Sequence, residues 1–418
     1  MPARAFCCRA AITTGDSINR CKQFLRCDAI DIIHALRMPQ GGERVTEPIK
    51  KILIVGAGIG GLTAAIQMKR AGFDVDVVEI NKEWMASGVG ILLSGASLRA
   101  LGSIGVLDEV VDAGFGFDVW HFCDYAGNKV GAAPQPRIAG PQYPGMIGVL
   151  RKAFFEVLTR HARELGAGAK IGETVASLKQ DASGVDVTFT DGTEKRYDLV
   201  VGADGLHSKI REMVFGEYKP RYTGQSVWRF TTERPAATDA GYLYYGPQNK
   251  VGFAPLSQEW MYLLLVHNLP TVPRMPDDRL HEILREQIVG YEGIVVEVAN
   301  RLTEPKSVLF RPLEVLFLDP PWYRGRVVLI GDAAHTVTPH LSSGGGMAIE
   351  DAVVLTELLQ QPGTLEERLD AFMKRRYARC RMIYENGLQL GEWEMNPTPD
   401  ADPAGLSARS YQALAQPI

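Results

Sequence analysis

The hydrophobic pattern is clearest in the fifth and sixth decades of the chain, where a strand, a helix and a second strand follow one another. Residues 51–55 form a short apolar run rich in β-branched side chains, which predicts a strand buried on both faces. After the glycine-rich segment 56–61, residues 62–71 have helical spacing, and Gly72 follows as a C-terminal cap. Residues 74–80 read as another strand. The pattern therefore predicts a βαβ unit.

The rest of the chain divides into three stretches of different character. Up to residue 218, helices are predicted at 96–111 and 152–165, a hairpin at 119–130, an antiparallel set at 175–180, 185–190 and 194–197, and a buried strand at 199–202. Aromatic-rich strands follow at 227–232, 242–245, 251–254 and 260–266, then a loop at 270–276 and a helix at 280–289. A parallel strand returns at 326–330, with helices at 345–360 and 365–390. An α/β nucleotide-type domain is thus interrupted by a mainly antiparallel insert.

These changes of pattern predict the domain boundaries. The nucleotide-type domain takes residues 47–120, 145–218 and 313–395, and the insert takes 121–144 and 219–312. Residues 396–418, which hold four prolines, are predicted to be a loose tail. Residues 1–46 lack periodicity and are interpreted as an extension ahead of a natural start at Met38.

Composition narrows the partners. The chain of 418 residues has a formal net charge of -4 and no long basic run, which argues against nucleic acid and against a polybasic membrane anchor. Its apolar runs are strand-sized, so no membrane span is predicted. Four of six cysteines lie in the first 37 residues, and only Cys123 and Cys380 fall in the globular body. This distribution favours a reducing compartment, the cytoplasm, over a disulfide framework. It offers no zinc-ligand spacing, and no metal is predicted.

The first chemical motif is Gly56-x-Gly58-x-x-Gly61 between strand and helix, with Glu79 ending the second strand. Gly56 permits the tight turn, Gly58 lets a pyrophosphate approach the backbone, and Gly61 permits close packing of helix on strand. Glu79 lies where a carboxylate accepts hydrogen bonds from ribose hydroxyls. The motif predicts a dinucleotide site without separating FAD from NAD.

Two further motifs place an acid after a buried strand. Asp332 follows the strand 326–330, and a glycine-rich helix start, Gly344-Gly345-Gly346-Met347, comes shortly after it. Asp332 can hold ribityl hydroxyls, and the amides of that helix start can face the N1–C2=O edge of a flavin. Asp204 ends the strand 199–202 in a similar way, and a capped turn remains the alternative there.

In this order and spacing, the three motifs resemble the class A flavoprotein monooxygenases, a family of para-hydroxybenzoate, salicylate and 6-hydroxynicotinate hydroxylases. The resemblance spans roughly residues 50–390. It implies a Rossmann-like FAD-binding domain with a parallel sheet, interrupted by a mainly antiparallel α+β substrate domain. It also implies NADH or NADPH as co-substrate, and hydroxylation of a small aromatic or heteroaromatic ring by O2 through an FAD C4a-hydroperoxide.

The resemblance assigns roles to numbered positions. The cofactor-binding residues that it implies are Gly56, Gly58, Gly61, Glu79, Arg99, Arg151, Asp204, Asp332, Pro339, Gly344, Gly345, Gly346 and Met347. Arg151 would contact the FAD linker, and Arg99 would help to position flavin or NAD(P)H.

The substrate side is less specific. Catalytic candidates in the insert are Arg229, His267 and Tyr222, with Tyr244, Tyr245 and Tyr262 as further polar groups. Arg229 beside Trp228 could bind a carboxylate through two hydrogen bonds, and an ion pair between domains is the alternative. His335 and His340 flank the flavin loop and are expected to be structural. Alternatives to a small-ring hydroxylase are an epoxidase or hydroxylase of polyketide- or quinolone-like substrates, and a flavin-binding protein without turnover. A monomer or homodimer is expected.

Overall fold

The computed structural model describes residues 47–83, 89–246, 249–272 and 274–418. Thr46–Ile418 form one compact unit. The predicted extension 1–46 lies outside the described residues. Within the described part, no helix has both the length and the apolar composition that a membrane crossing requires.

Strands and helices alternate along the described chain. The strands are Lys51–Val55 (β1), Asp74–Glu79 (β2), Gly90–Ser94 (β3), Gly114–Phe117 (β4), Val119–Asp124 (β5), Lys129–Pro134 (β6), Met146–Leu150 (β7), Ala169–Ile171 (β8), Val175–Gln180 (β9), Val185–Phe189 (β10), Glu194–Tyr197 (β11), Leu199–Gly202 (β12), Arg221–Glu233 (β13), Gly241–Tyr245 (β14), Lys250–Pro255 (β15), Trp260–Asn268 (β16), Val308–Phe317 (β17), Tyr323–Arg324 (β18), Val327–Leu329 (β19) and His335–Thr336 (β20). The α-helices are Ile59–Arg70 (α1), Gly95–Ser103 (α2), Leu107–Asp112 (α3), Arg151–Glu164 (α4), Lys209–Phe215 (α5), Leu280–Gln287 (α6), Ile294–Ala299 (α7), Gly344–Leu359 (α8), Leu365–Met395 (α9) and Pro403–Ala415 (α10).

A six-stranded sheet in the order β18-β19-β12-β1-β2-β8 forms the centre of the nucleotide-type domain. All its pairs are parallel except β18 with β19. Strand β1 is almost wholly buried, as its continuous apolar run predicted. Helices α1 and α8 contribute to the same apolar core, so the carboxyl ends of β1, β12 and β19 open side by side.

An eight-stranded sheet in the order β20-β17-β13-β16-β15-β14-β5-β6 forms the insert. Its pairs are antiparallel except β14 with β5. One face carries Trp228, Phe253 and Leu263 into a second apolar core, which includes side chains of α6 and α7. The predicted fold, a Rossmann-like domain with a parallel sheet interrupted by a mainly antiparallel α+β domain, is confirmed.

Two local predictions differ from the structure. The helix expected at 96–111 is two helices, α2 and α3, because Gly105 adopts a positive φ of 65° between them. The loose tail expected at 396–418 is wrong, since residues 403–415 form α10. Asp402 caps this helix through Gly405 N at 2.8 Å, and Pro403 occupies its first turn, where proline favours a helix.

Candidate active site

A cavity of about 450 Å³ opens at the carboxyl ends of three parallel strands and extends to the eight-stranded sheet. It is lined from both domains by Gly58, Ile59, Gly60, Gly90, Ile91, Leu92, Arg151, Ala203, Gly205, Arg229, Tyr262, Leu264, Leu313, Ile330, Gly331, Asp332, Val337, Thr338, Pro339, Ser342, Ser343, Gly344, Gly345 and Ala348. Residues more than 280 positions apart in the chain therefore share one wall.

The turn between β1 and α1 is built on glycines for steric reasons. Gly56 has φ +102°, and a Cβ there would overlap the carbonyl of Ala203 at the end of β12. A Cβ at Gly61 would overlap the carbonyl oxygen of Gly56. Gly58 differs, since a Cβ there would meet no atom within 4 Å. Gly56 and Gly61 thus maintain the turn, and Gly58 leaves open space at the cavity.

The N-terminus of α1 faces this open space without a side-chain cap. Gly58 is the N-cap residue, and the first helical residues Ile59 and Gly60 line the cavity. Backbone N–H groups of a first helical turn have no partner inside the helix, and the helix dipole adds positive potential. Glu79 holds the preceding loop by accepting from Ala57 N at 2.8 Å. The arrangement suits an anionic diphosphate.

Asp332 lies at the other part of the cavity, after β19. Its side chain is exposed to the cavity, and desolvation by the surrounding protein raises its pKa, against the charges of His335 and Arg151. Arg151, at the start of α4, also lines the cavity and stacks over the Phe155 ring at 5.5 Å. Desolvation lowers the pKa of Arg151, and the neighbouring charge of Arg229 adds to this effect.

The loop after β20 and the start of α8 bring Pro339, Gly344 and Gly345 to the cavity. The N-terminus of α8 also lacks a side-chain cap, so its amides are available to a ligand. Gly346 and Met347 do not line the cavity. Gly346 packs so closely on Ser97 that a Cβ would overlap it, and Met347 is buried.

Arg229 and Tyr262 form the polar part of the sheet wall. In the antiparallel register Arg229 lies opposite Leu264, and Tyr262 lies two residues before Leu264 on the same face. The Arg229 guanidinium has no ion pair or hydrogen bond within the described residues. Desolvation raises the pKa of Tyr262 to about 12, although Arg229 lowers it, so the phenol is protonated at neutral pH.

The other two catalytic candidates point elsewhere. His267 is an odd-numbered residue of β16, and strand alternation turns it to the face opposite Tyr262; desolvation there lowers its pKa. The Tyr222 hydroxyl donates to the carbonyl of Leu269 at 2.8 Å. Neither side chain lines the cavity. Of the further tyrosines, Tyr244 is buried in the second core and Tyr245 packs edge-on against Phe122.

Two of the predicted cofactor residues also have other partners. The Asp204 carboxylate accepts from Ser208 Oγ at 2.5 Å and Lys209 N at 2.7 Å, which is the capped turn left open by the sequence. Burial raises its pKa, against these hydrogen bonds. Arg99 donates to the carbonyls of Leu414, Ala415 and Gln416 at the end of α10. Neither residue lines the cavity, although Ala203 and Gly205 beside Asp204 do.

A buried ionic network lies behind the flavin loop. Asp351 accepts from Gly331 N at 2.9 Å, from His335 Nε2 at 2.6 Å and from Arg376 Nε at 2.7 Å. Arg376 also donates to Glu350 at 2.7 Å. Desolvation alone would lower the pKa of His335, but Cys380 and Asp351 raise it well above its usual value.

This network also contains a potential metal-ligand group. His335, Asp351 and Cys380 offer ligand atoms within 4.8 Å of one another. The Arg376 guanidinium already provides a cation at the same carboxylate and lies 3.5 Å from the Cys380 sulfur. The network therefore works as an ion-pair support that fixes the turn carrying Asp332. His340, the other flanking histidine, contacts Glu394 at 3.2 Å.

Several wall residues were not identified from the sequence. Gly90, Ile91 and Leu92 of β3, and Leu264 and Leu313 of the large sheet, line the cavity. The period-two alternation of β16 is the signal that would have placed Leu264 and Tyr262 together. The β3 contribution depends on pairing with β7, more than 50 residues away, and has no local signal.

The cavity fits FAD in its chemistry. Two uncapped helix N-termini, of α1 and α8, supply amide donors, and Asp332 supplies acceptors between them. Gly58 and Gly344 keep side chains out of the cavity where an extended dinucleotide would pass. A long cofactor with a diphosphate and a polyol suits this distribution of donors and acceptors.

Comparison with known proteins agrees with this chemistry. Residues 50–386 match a family described as "FAD binding domain". A putative FAD-dependent monooxygenase, YetM of Bacillus subtilis, is 32% identical, covering 85% of this chain and 96% of the relative. The 6-hydroxynicotinate 3-monooxygenase of Bordetella bronchiseptica is 29% identical, covering 77% and 85%. The crystal structure of Klebsiella pneumoniae HpxO with FAD and uric acid aligns with a TM-score of 0.76 at 27% identity, covering 88% and 92%.

The fold and the cavity thus define a dinucleotide-dependent oxidoreductase. The chain belongs to the class A FAD-dependent aromatic monooxygenases. The resemblance predicted from three motifs is confirmed, as are FAD as cofactor and the assignment to single-component monooxygenases.

Proposed function

We propose that the protein hydroxylates a small aromatic or heteroaromatic ring that carries an anionic group, using NAD(P)H and O2. The observation that carries the proposal is Arg229. Its half-buried guanidinium faces the cavity, and the described residues give it no counter-charge. A guanidinium in such a position binds carboxylates or phenolates through paired hydrogen bonds.

The charge balance of the cavity supports an anionic substrate. Arg151 and Arg229 contribute two positive charges, and Asp332 is the one carboxylate among the lining residues. We assign Asp332 to the ribityl chain of FAD and Arg151 to the FAD linker. Arg229 would then attract an anionic substituent, and the protonated Tyr262 could donate to a ring oxygen.

The division of labour follows from these contacts. Bound FAD takes a hydride from NAD(P)H and supplies the activation of O2. Arg229 would orient the ring, while Leu264 and Leu313 would exclude water from the reacting face. Two relatives, one named for 6-hydroxynicotinate and one solved with uric acid, handle small heteroaromatic compounds.

A coupled assay tests the proposal. Holoprotein should oxidise NADH or NADPH faster when hydroxylated benzoates or pyridine carboxylates are added, and mass spectrometry should find one oxygen atom added to the ring. Stimulation by a quinolone or polyketide alone would replace the proposed substrate class with the larger one. Stable FAD that NAD(P)H does not reduce would indicate a flavin-binding protein without turnover.

Replacing Arg229 with leucine should raise the KM for anionic rings roughly tenfold to a hundredfold, since a hydrogen bond to a charged group is lost. Neutral analogues of the same rings should lose much less. Arg221→Leu is the matched control, because Arg221 is exposed at the start of the same strand and does not line the cavity. Equal losses for neutral and anionic rings would argue against the anionic-substrate proposal.

The setting of the enzyme is also a proposal. Cys123 and Cys380 are both free thiols, which supports a reducing compartment such as the cytoplasm. A monomer or homodimer remains the predicted assembly.

A further inference from the structure

The C-terminal helix α10 contacts the loop that holds the flavin. Tyr411, in the middle of α10, donates its hydroxyl to the carbonyl of Leu341 at 3.3 Å. The same carbonyl accepts from Ser343 Oγ at 2.6 Å. Leu341 and Ser343 bracket Ser342, which lines the cavity.

Ser342 has an unusual backbone conformation. Among the described residues it is the one non-glycine residue with a positive φ, at 46°. Residues other than glycine reach this left-handed region at a cost in free energy, and neighbouring contacts have to maintain it. The hydrogen bonds to the Leu341 carbonyl fix the peptide group directly before the strained residue.

Helix α10 is in turn fixed at its carboxyl end by three arginines. Arg99 donates to three carbonyls of residues 414–416, and Arg379 donates to Ala413 and Leu414. Arg375 donates to the Ile418 carbonyl at 2.7 Å. Carbonyls of a last helical turn have no partner within the helix, and cations there also favour the helix dipole.

We infer that α10 is a positioning element of the flavin site. Tyr411 holds the strained turn at Ser342, and Arg99 acts through α10 and not by direct contact with the cofactor. The inference rests on the proposed contact of residues 339–345 with flavin, but it does not depend on the substrate. Loss of the Tyr411 contact should let the turn relax and loosen the flavin.

The test measures FAD release from holoprotein, followed as flavin fluorescence after dilution. Tyr411→Phe should release FAD roughly three- to tenfold faster than wild type, as expected for loss of one hydrogen bond. Ser342→Gly in the Tyr411→Phe background should restore the wild-type rate, because glycine adopts a positive φ without strain. Release at the wild-type rate from Tyr411→Phe, or no restoration by Ser342→Gly, would overturn the inference.

Two further variants separate positioning from general destabilisation. Tyr291→Phe removes a similar hydroxyl-to-carbonyl bond, to Asn249 at 2.8 Å, in the other domain, and should release FAD at the wild-type rate. Arg99→Met should accelerate release, and Ser342→Gly should restore it. Faster release that glycine does not restore would indicate direct contact between Arg99 and the cofactor. Because no turnover is measured, these results are independent of whether the proposed substrate class is correct.

Discussion

Alanine at Gly61 is expected to abolish FAD binding and to lower the free energy of unfolding by about 3 kcal/mol, at the upper end of the cost of overpacking. The added Cβ would overlap the backbone oxygen of Gly56, and neither β1 nor α1 can move away, because both are buried in the main core. Urea denaturation and the visible flavin absorbance of purified protein measure the two effects. A variant that retains full flavin and stability would contradict this account of the turn.

Gly58→Ala provides the contrasting case. A Cβ at Gly58 meets no protein atom within 4 Å, so the free energy of unfolding of the apoprotein should stay close to that of wild type. FAD affinity should nevertheless fall about tenfold to a hundredfold, because the methyl group would occupy the approach of the diphosphate. If both variants lost stability equally, the separate roles assigned to the two glycines would be wrong.

Replacing Arg376 with methionine should cost about 3–5 kcal/mol in the free energy of unfolding, because it leaves buried carboxylates without their central cation. Arg376 is fully buried and donates to both Glu350 and Asp351 at 2.7 Å. Flavin content should fall as well, since Asp351 also holds Gly331 N in the turn that carries Asp332. Urea denaturation of the apoprotein and holoprotein measures the stability, and absorbance measures the bound flavin.

Arg381→Met is the matched control for this experiment. Arg381 lies on the same helix, α9, where it pairs with Glu385 four residues later on the surface. Exposed ion pairs of this spacing contribute little, so stability should hardly change. If Arg381→Met destabilised the protein as much as Arg376→Met, burial would not be the cause of the predicted loss.

The parallel half of the fold was predictable because its signals are local. The apolar run of β1, the glycines after it and Glu79 lie within 29 residues, and each residue type has one physical reason for its position. Helix α10 was missed because four prolines in residues 396–418 suggest loops, while the Asp402 cap and Pro403 at the helix start are the opposite signal.

The site was predictable where a backbone turn determines it and less so where side chains do. Gly58, Asp332, Pro339 and Gly344 line the cavity as the motifs predicted. Tyr222 and His267 do not, since which face of a strand is exposed to a cavity depends on pairing with distant strands. Arg229 lines the cavity, but its partner Tyr262 becomes visible only through the register of β13 and β16.

The discontinuous nucleotide-type domain affects the order of events during synthesis. Strand β12 pairs with β1 on one side and with β19 on the other, although β1 and β19 are separated by the whole insert. A nascent chain that has emerged only as far as β12 lacks the Asp332 turn, the amides at the start of α8 and the arginines that anchor α10. Flavin capture is therefore a late step of biogenesis, and a ribosome-stalled chain ending before residue 344 should emerge colourless.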